Sequence, residues 1–251
     1  VVAMVISKMV GSGNQLYRYI RCRMKLIRVL VVVAGFFALY RLWALYRRYR
    51  KRRWLEKKHV LITGAARGIG RAVAVEFAKR RCIVHVCDIN SCAETLQMLR
   101  SVSSQGHSAH ICDVTDKSQV FAMCEGISRI DILVNNAGVV SGKSILDLRD
   151  DEIRQTFNVN IMAHFWTLQA CLPGMFAKND GHIVTISSTA GHFGVPKLTD
   201  YCASKFACNG LHEALRSEIN CDERVTGVKS TLVCPICVYW HVRRRRDPLP
   251  T

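Results

Sequence analysis

"VLITGAARGIGRAVAVEFAKR", residues 60–80, is the stretch on which the fold turns. "VLITG" (60–64) is a short apolar, β-branched run of strand type, and "GIGRAVAVEFAKR" (68–80) carries Ile69, Val73 and Phe77 at helical spacing. Three glycines fall at the turn between them. Gly64 permits a tight turn, while Gly68 and Gly70 let the backbone approach a pyrophosphate at a helix N-terminus.

The same alternation continues along the chain. "CIVHVCDI" (82–89) reads as a strand, followed by a helix around 91–103, the strand "AHICDV" (109–114), and a short helix before "IDILVNNAG" (130–138). A long helical region covers about 150–178. "GHIVTISS" (181–188), a helix holding "TDYCASKFAC" (199–208) and "VKSTLVCP" (228–235) complete the series. Near-continuously apolar strands separated by helices predict an α/β fold, a Rossmann-type doubly wound parallel sheet with helices on both faces.

Asp88 closes the second strand 20 residues after Gly68, the place for a carboxylate that binds a ribose 2′-hydroxyl. A 2′-phosphate there would meet a negative charge, which favours NAD over NADP. Arg67, in the glycine turn, points the other way, since its guanidinium is able to reach such a phosphate. Asp113, ending the third strand, is either an acceptor for an adenine amino group or a turn cap. Tyr201 and Lys205 are i and i+4 neighbours on one helix face. A fixed ammonium beside a phenol favours the phenolate, so the pair is a candidate general base; the alternative is an incidental surface pair.

Charge divides the 251-residue chain, which is 49% hydrophobic and 22% charged, with a net charge of +17. Residues 1–58 hold 15 Lys/Arg against one Glu, and Arg243–Asp247 adds +3. The stretch 59–242 carries 17 basic and 17 acidic side chains. A neutral core argues against a nucleic-acid-binding domain, whose footprint would be a basic face. Val29–Tyr46 is 18 residues with one charge, Arg41, and as a helix it would be roughly 27 Å long, close to a bilayer's hydrocarbon thickness. Tyr40, Trp43 and Tyr46 suit the interface, and the heavier basic flank, from Arg47 to Arg53, places the following domain on the cytosolic side. An uncleaved membrane anchor is therefore expected in 1–58, with a helix lying on the membrane surface as the alternative. The 12 scattered cysteines, mostly in apolar runs, read as buried free thiols of a reducing compartment. Neither "CPIC" (Cys234, Cys237) nor "HSAH" (His107, His110) is read as a redox or metal site, and no metal is expected.

Four motifs in order, TGxxxGIG (64–70), NNAG (135–138), the serine of "ISS" and YxxxK (201–205), resemble the short-chain dehydrogenase/reductase family over about 59–235. Ser188 stands 13 residues before Tyr201, the family's usual spacing, and Asn160 of "NVN" occupies its fourth catalytic position. "NNAGVVSGKS", "GHIVTISSTAGH" and "DYCASKFA" look most like the membrane-bound retinol and 17β-hydroxysteroid dehydrogenase branch. The resemblance implies hydride exchange between a lipophilic alcohol and a nicotinamide. Tyr201 would move the proton, Lys205 would lower its pKa and bind the ribose, Ser188 would hold the substrate oxygen, and Asn160 would position a relay water. It also implies cofactor contacts from Gly64, Arg67, Gly68, Ile69, Gly70, Asp88, Asp113, Val114, Asn136, Ala137, Gly138, Tyr201 and Lys205.

After "TLVCP" the family continues with a Thr that contacts the nicotinamide, a substrate-covering helix and an edge strand. Here "ICVYWHVRRRRDPLPT" follows instead, so 236–251 is read as an atypical basic tail and turnover is expected to be slow. Expected partners are a lipophilic alcohol or carbonyl substrate and membrane lipids of the endoplasmic reticulum or lipid droplet. A homodimer is a candidate assembly. The alternative function is a catalytically weak, membrane-bound binding or scaffold protein that retains the cofactor fold.

Overall fold

The computed structural model describes residues 33–47 and 54–236, and the chain divides into two units, Val1–Trp54 and Leu55–Thr251. In the first, residues 33–47 form helix α1, whose Phe36, Phe37, Leu39, Tyr40, Leu42 and Trp43 are all more than half exposed. Among the described residues no helix is long and apolar enough to cross a membrane. The anchor expected over Val29–Tyr46 begins outside the described residues, as does most of the tail from 237 onward.

The second unit alternates strands and helices: β1 (His59–Thr63), α2 (Gly68–Lys79), β2 (Ile83–Asp88), α3 (Ala93–Val102), β3 (Ser108–Ile111), α4 (Lys117–Glu125) and β4 (Ile132–Asn135). Then come α5 (Asp150–Phe157), a π-helical segment (Asn158–Met162), α6 (Ala163–Ala177), β5 (Gly181–Ile186), α7 (Thr199–Cys221) and β6 (Val228–Val233). The six strands form one sheet in the order β3-β2-β1-β4-β5-β6, with every pair parallel. The expected doubly wound sheet is thus present.

Side chains along a strand alternate between faces, and the core divides accordingly. In β1, Val60 and Ile62 join Val84, Val86, Ile132 and Val134 beneath α2 and α3, packing on Ala74, Ala78 and Leu99. Leu61 points the other way and meets Leu133 and Ile183 beneath α4, α6 and α7, with Val120, Met175 and Leu215. Both sets being apolar explains why the strands read as continuous hydrophobic runs. At β6 the coverage is one-sided: Val228 is buried, while Lys229, Thr231 and Val233 are exposed.

The long helix expected over 150–178 is not a continuous α-helix. The π-helical turn at Asn158–Met162 separates α5 from α6 and sets Val159, Asn160 and Ile161 in the interior. Pro173 is accommodated inside α6, three residues short of its last turn's Phe176.

Candidate active site

The sheet order changes direction at β1 and β4, which lie side by side while their chains continue to opposite faces. A crevice opens at such a point outside the strands' carboxyl ends. Here it is a cleft of about 330 Å³, lined by the glycine turn (Gly64, Arg67, Ile69), the ends of β2 and β3 (Asp88, Asp113, Val114), the loop Asn136–Val139 and α5.

The turn is held by polar contacts from β4. Thr63 Oγ1 accepts from the main-chain N–H groups of Asn136 and Ala137, both at 3.0 Å. Asn136 Nδ2 donates back to the carbonyls of Thr63 (2.8 Å) and Gly64 (3.0 Å). The two loops are so close that a Cβ at Gly64 would stand 2.7 Å from Ala137 Cα. One at Gly70 would overlap the Gly64 carbonyl oxygen and lie 2.6 Å from Asn136 Nδ2. Gly64 and Gly68 both have positive φ, +65° and +61°, which a side chain would strain.

Helix α2 begins without a capping side chain and with no acidic residue in its first turn. Its leading N–H groups therefore keep their capacity for an anion, reinforced by the helix dipole. Asp88 sits at the end of β2, where Oδ2 accepts from Ala66 N–H (3.0 Å) and Oδ1 from Asn90 N–H (2.9 Å). Asp113 lines the cleft, yet its Oδ1 accepts from the N–H and hydroxyl of Thr115, so it is also the turn cap weighed in the sequence. Uncapped helix, absent side chains and a placed carboxylate together fit a dinucleotide.

At the far end, a Cβ on Gly138 would lie 3.4 Å from Asn160 Oδ1 and 3.7 Å from Lys205 Nζ, so the cleft runs up to both. Helix α7 carries Tyr201 and Lys205 on one face. Lys205 is 3% exposed, its Nζ donates to the carbonyl of Ile186 at 3.1 Å, and it stands 5.7 Å from the Tyr201 ring centroid. Burial lowers its pKa, opposed by Cys208 and Cys234. Full burial, reinforced by the same charge, pushes His164 down to about 3, leaving a neutral imidazole. Ser188 follows β5, and its hydroxyl oxygen accepts from Ala190 N–H at 3.1 Å.

Asn160 ties the loop after β4 to α7 through its side chain. It is fully buried, its Oδ1 accepts from Val139 N–H (2.8 Å), and Nδ2 donates to Val139 O (3.0 Å) and Ser204 Oγ (2.9 Å). Its main-chain carbonyl accepts from Cys208 Sγ at 2.8 Å. The π-helical turn aims the amide at the loop and α7, where it fixes their separation.

The sequence reading missed a further cluster. Asp200, 4% exposed, accepts from the hydroxyls of Ser141 and Thr156, each at 2.8 Å, joining the start of α7 to α5 and the loop. Burial raises this carboxyl's pKa, but hydrogen bonds from Ser141, Thr156 and main-chain N–H groups outweigh it and hold the group below its ordinary value. Only the placement of Asp200 beside Tyr201 hinted at this.

The family model for short chain dehydrogenases matches residues 58–247, and the chain belongs to that family. It is 40% identical over 195 residues to human 17-beta-hydroxysteroid dehydrogenase 13, covering 75% of this chain and 64% of that protein. It is 40% identical over 185 residues to mouse epidermal retinol dehydrogenase 2, covering 71% and 60%. The chain therefore spans a little under two thirds of the length of these relatives. Among solved structures, a short chain dehydrogenase/reductase from Burkholderia phymatum in complex with NAD superposes with a TM-score of 0.68 at 29% identity, covering 72% of this chain and 66% of that one. A metagenomic short-chain oxidoreductase in complex with NADP gives 0.65 at 32%, covering 72% and 83%.

Gly70→Ala tests the cleft. The added methyl has no space against Gly64 and Asn136, so NADH binding, followed by fluorescence enhancement, is expected to weaken by about tenfold or more, equivalent to ~1.4 kcal/mol. Gly174→Ala, in open space on α6, is expected to leave it unchanged.

Proposed function

We propose that this chain is an NAD-linked oxidoreductase that interconverts a lipophilic alcohol, retinol- or hydroxysteroid-like, and its aldehyde or ketone. The observation that carries the reading is the buried ammonium of Lys205 set beside Tyr201 at the end of a dinucleotide-shaped cleft. Relatives named for retinol and for 17-beta-hydroxysteroids support the substrate class.

A bound nicotinamide would accept or supply the hydride. The glycine turn and the N-terminus of α2 would hold its pyrophosphate, Asp88 a ribose hydroxyl, and Lys205 the ribose nearer the reaction. Tyr201 accepts the alcohol proton in oxidation and returns it in reduction. A cation held beside the ring stabilises the phenolate, and the low dielectric around Lys205 strengthens that effect. Ser188 offers its hydroxyl to the substrate oxygen. Asn160 acts as a positioning residue, because its amide holds Val139 and Ser204 on either side of the site.

NAD is preferred on electrostatic grounds, since the Asp88 carboxylate would repel a 2′-phosphate. Residues 1–58 anchor the protein to a membrane of the endoplasmic reticulum or lipid droplet, with the catalytic unit on the cytosolic side. The support is the apolar run flanked by basic clusters.

Membrane fractions assayed with retinol or a hydroxysteroid and NAD test the reading. Turnover should fall by about 10²–10⁴-fold in Tyr201→Phe, while NADH binding persists. NADH binding with no turnover of any alcohol would favour the binding or scaffold role instead.

Cofactor preference is measured separately. NADH should bind about tenfold or more tightly than NADPH, a difference of ~1.4 kcal/mol, and Asp88→Ala should narrow the gap. Equal wild-type affinities would show that Arg67 governs the choice.

Attachment is tested by washing. The protein should stay in the membrane pellet through high salt and alkaline carbonate, and release by salt alone would assign attachment to the basic clusters.

A further inference from the structure

Beyond β5 and β6 the ladder continues into the site. Ser187 N–H donates to Val233 O at 2.8 Å and Thr189 N–H to Pro235 O at 3.1 Å, which brings Cys234 beside Ser187 and Ser188. Cys234 is half-buried, and it lies close enough to Lys205 to act on that ammonium. Its Sγ is 3.3 Å from His192 Nε2.

The hydrogen-bond directions here can be assigned. Asn209 Oδ1 accepts from the Ser187 hydroxyl at 2.6 Å, and Nδ2 donates to Gly191 O at 2.9 Å. The amide is thereby oriented with Nδ2 toward His192, whose Nε2 is 3.4 Å away. An N–H₂ facing Nε2 favours the tautomer with the ring proton on Nδ1, whose Nε2 has a single lone pair that the amide and the nearer thiol share. A thiol hydrogen-bonded to an acceptor imidazole is an activated nucleophile. Asn209 contacts the nitrogen that faces the thiol and not the opposite one, so the trio lacks the order of a hydrolytic triad.

We propose that Cys234, with His192 as its base, is a covalent-modification site for α,β-unsaturated aldehydes and ketones. The thiol proton passes to His192 Nε2 as Sγ bonds to the β-carbon. The carbon–carbon π pair shifts toward the carbonyl, and the α-carbon takes up the proton from the imidazolium. The thioether that results needs no oxidant. Ser188 and Tyr201, which would polarise a carbonyl oxygen during reduction, polarise it equally for this addition. That choice of electrophile rests on their proposed role; the nucleophile does not.

The full chain in detergent is incubated with trans-2-hexenal, or with saturated hexanal as the control. Adducts are trapped with borohydride and located by peptide mass spectrometry. Cys221, the exposed thiol at the end of α7, is the reference in each digest. Cys234 is expected to be modified on the order of a hundredfold faster than Cys221, with that advantage lost in His192→Ala and no thioether formed from hexanal. His192→Gln replaces His192→Ala if the latter exposes buried thiols. Equal rates at Cys234 and Cys221, adducts confined to Cys22, Cys221 or Cys237, or an undiminished rate in the His192 variants would each overturn the proposal. The readout needs no alcohol turnover, so an inactive enzyme and an unreactive Cys234 are separate results.

Discussion

The cleft exists because two loops that leave neighbouring strands in opposite directions are tied together at their roots. Thr63 and Asn136 make that tie: one hydroxyl collects two N–H groups, and one amide satisfies two carbonyls. Each such bond contributes roughly 0.5–1.5 kcal/mol net, but leaving any of these buried groups unpaired would cost more. The closeness they enforce is what removes the space for a Cβ at Gly64 and Gly70. The glycines are therefore required by the knot as much as by any ligand. With no side chain in the turn, the uncapped end of α2 is left facing the cleft.

A second constraint is the burial of Lys205. Moving an ammonium out of water is costly, and among the described residues Nζ donates to the carbonyl of Ile186, so α7 must be held firmly against β5. Contacts at both sides of the helix do this. Ser187 and Asn209 join it to the loop after β5, while Asp200, Ser141 and Thr156 join its first turn to α5. Asn160 wedges between Val139 and Ser204 from the π-helical turn. π-Helical insertions are rare and recur at functional sites, where they redirect a side chain. Here the insertion turns an amide inward that a continuous helix would direct elsewhere.

What was legible in the sequence follows from the range of the interactions involved. Gly64, Gly68 and Gly70 could be placed because a glycine requirement is local and the strand–turn–helix context is short. Tyr201 and Lys205 were legible because an i, i+4 pair needs only one helix. The strand series was readable from its apolar runs, since both sheet faces are covered. Asp200 was missed because its partners, Ser141 and Thr156, are 59 and 44 residues away and nothing local marks them. The partners of Asn160 were hidden for the same reason, since they lie on a loop and on α7. The "CPIC" spacing, set aside as a redox motif, gave no sign that Cys234 stands beside His192, 42 residues earlier.

The thiols then sort by environment. Cys82, Cys92 and Cys112 are buried among the sheet and its helices, and burial is the main cause that raises each to about 11; burial also raises Cys87, wholly enclosed, well above its ordinary value. A thiol in that state is neither a nucleophile nor a ligand, and it fills space as a small hydrophobe. Cys208 is raised by burial too, and its Sγ–H is directed at the carbonyl of Asn160. Cys234 is only half-buried and faces the His192 imidazole, close to Lys205. The same residue type is thus inert filling through most of the core and a candidate for chemistry at the one described position where the sheet ends beside a basic nitrogen.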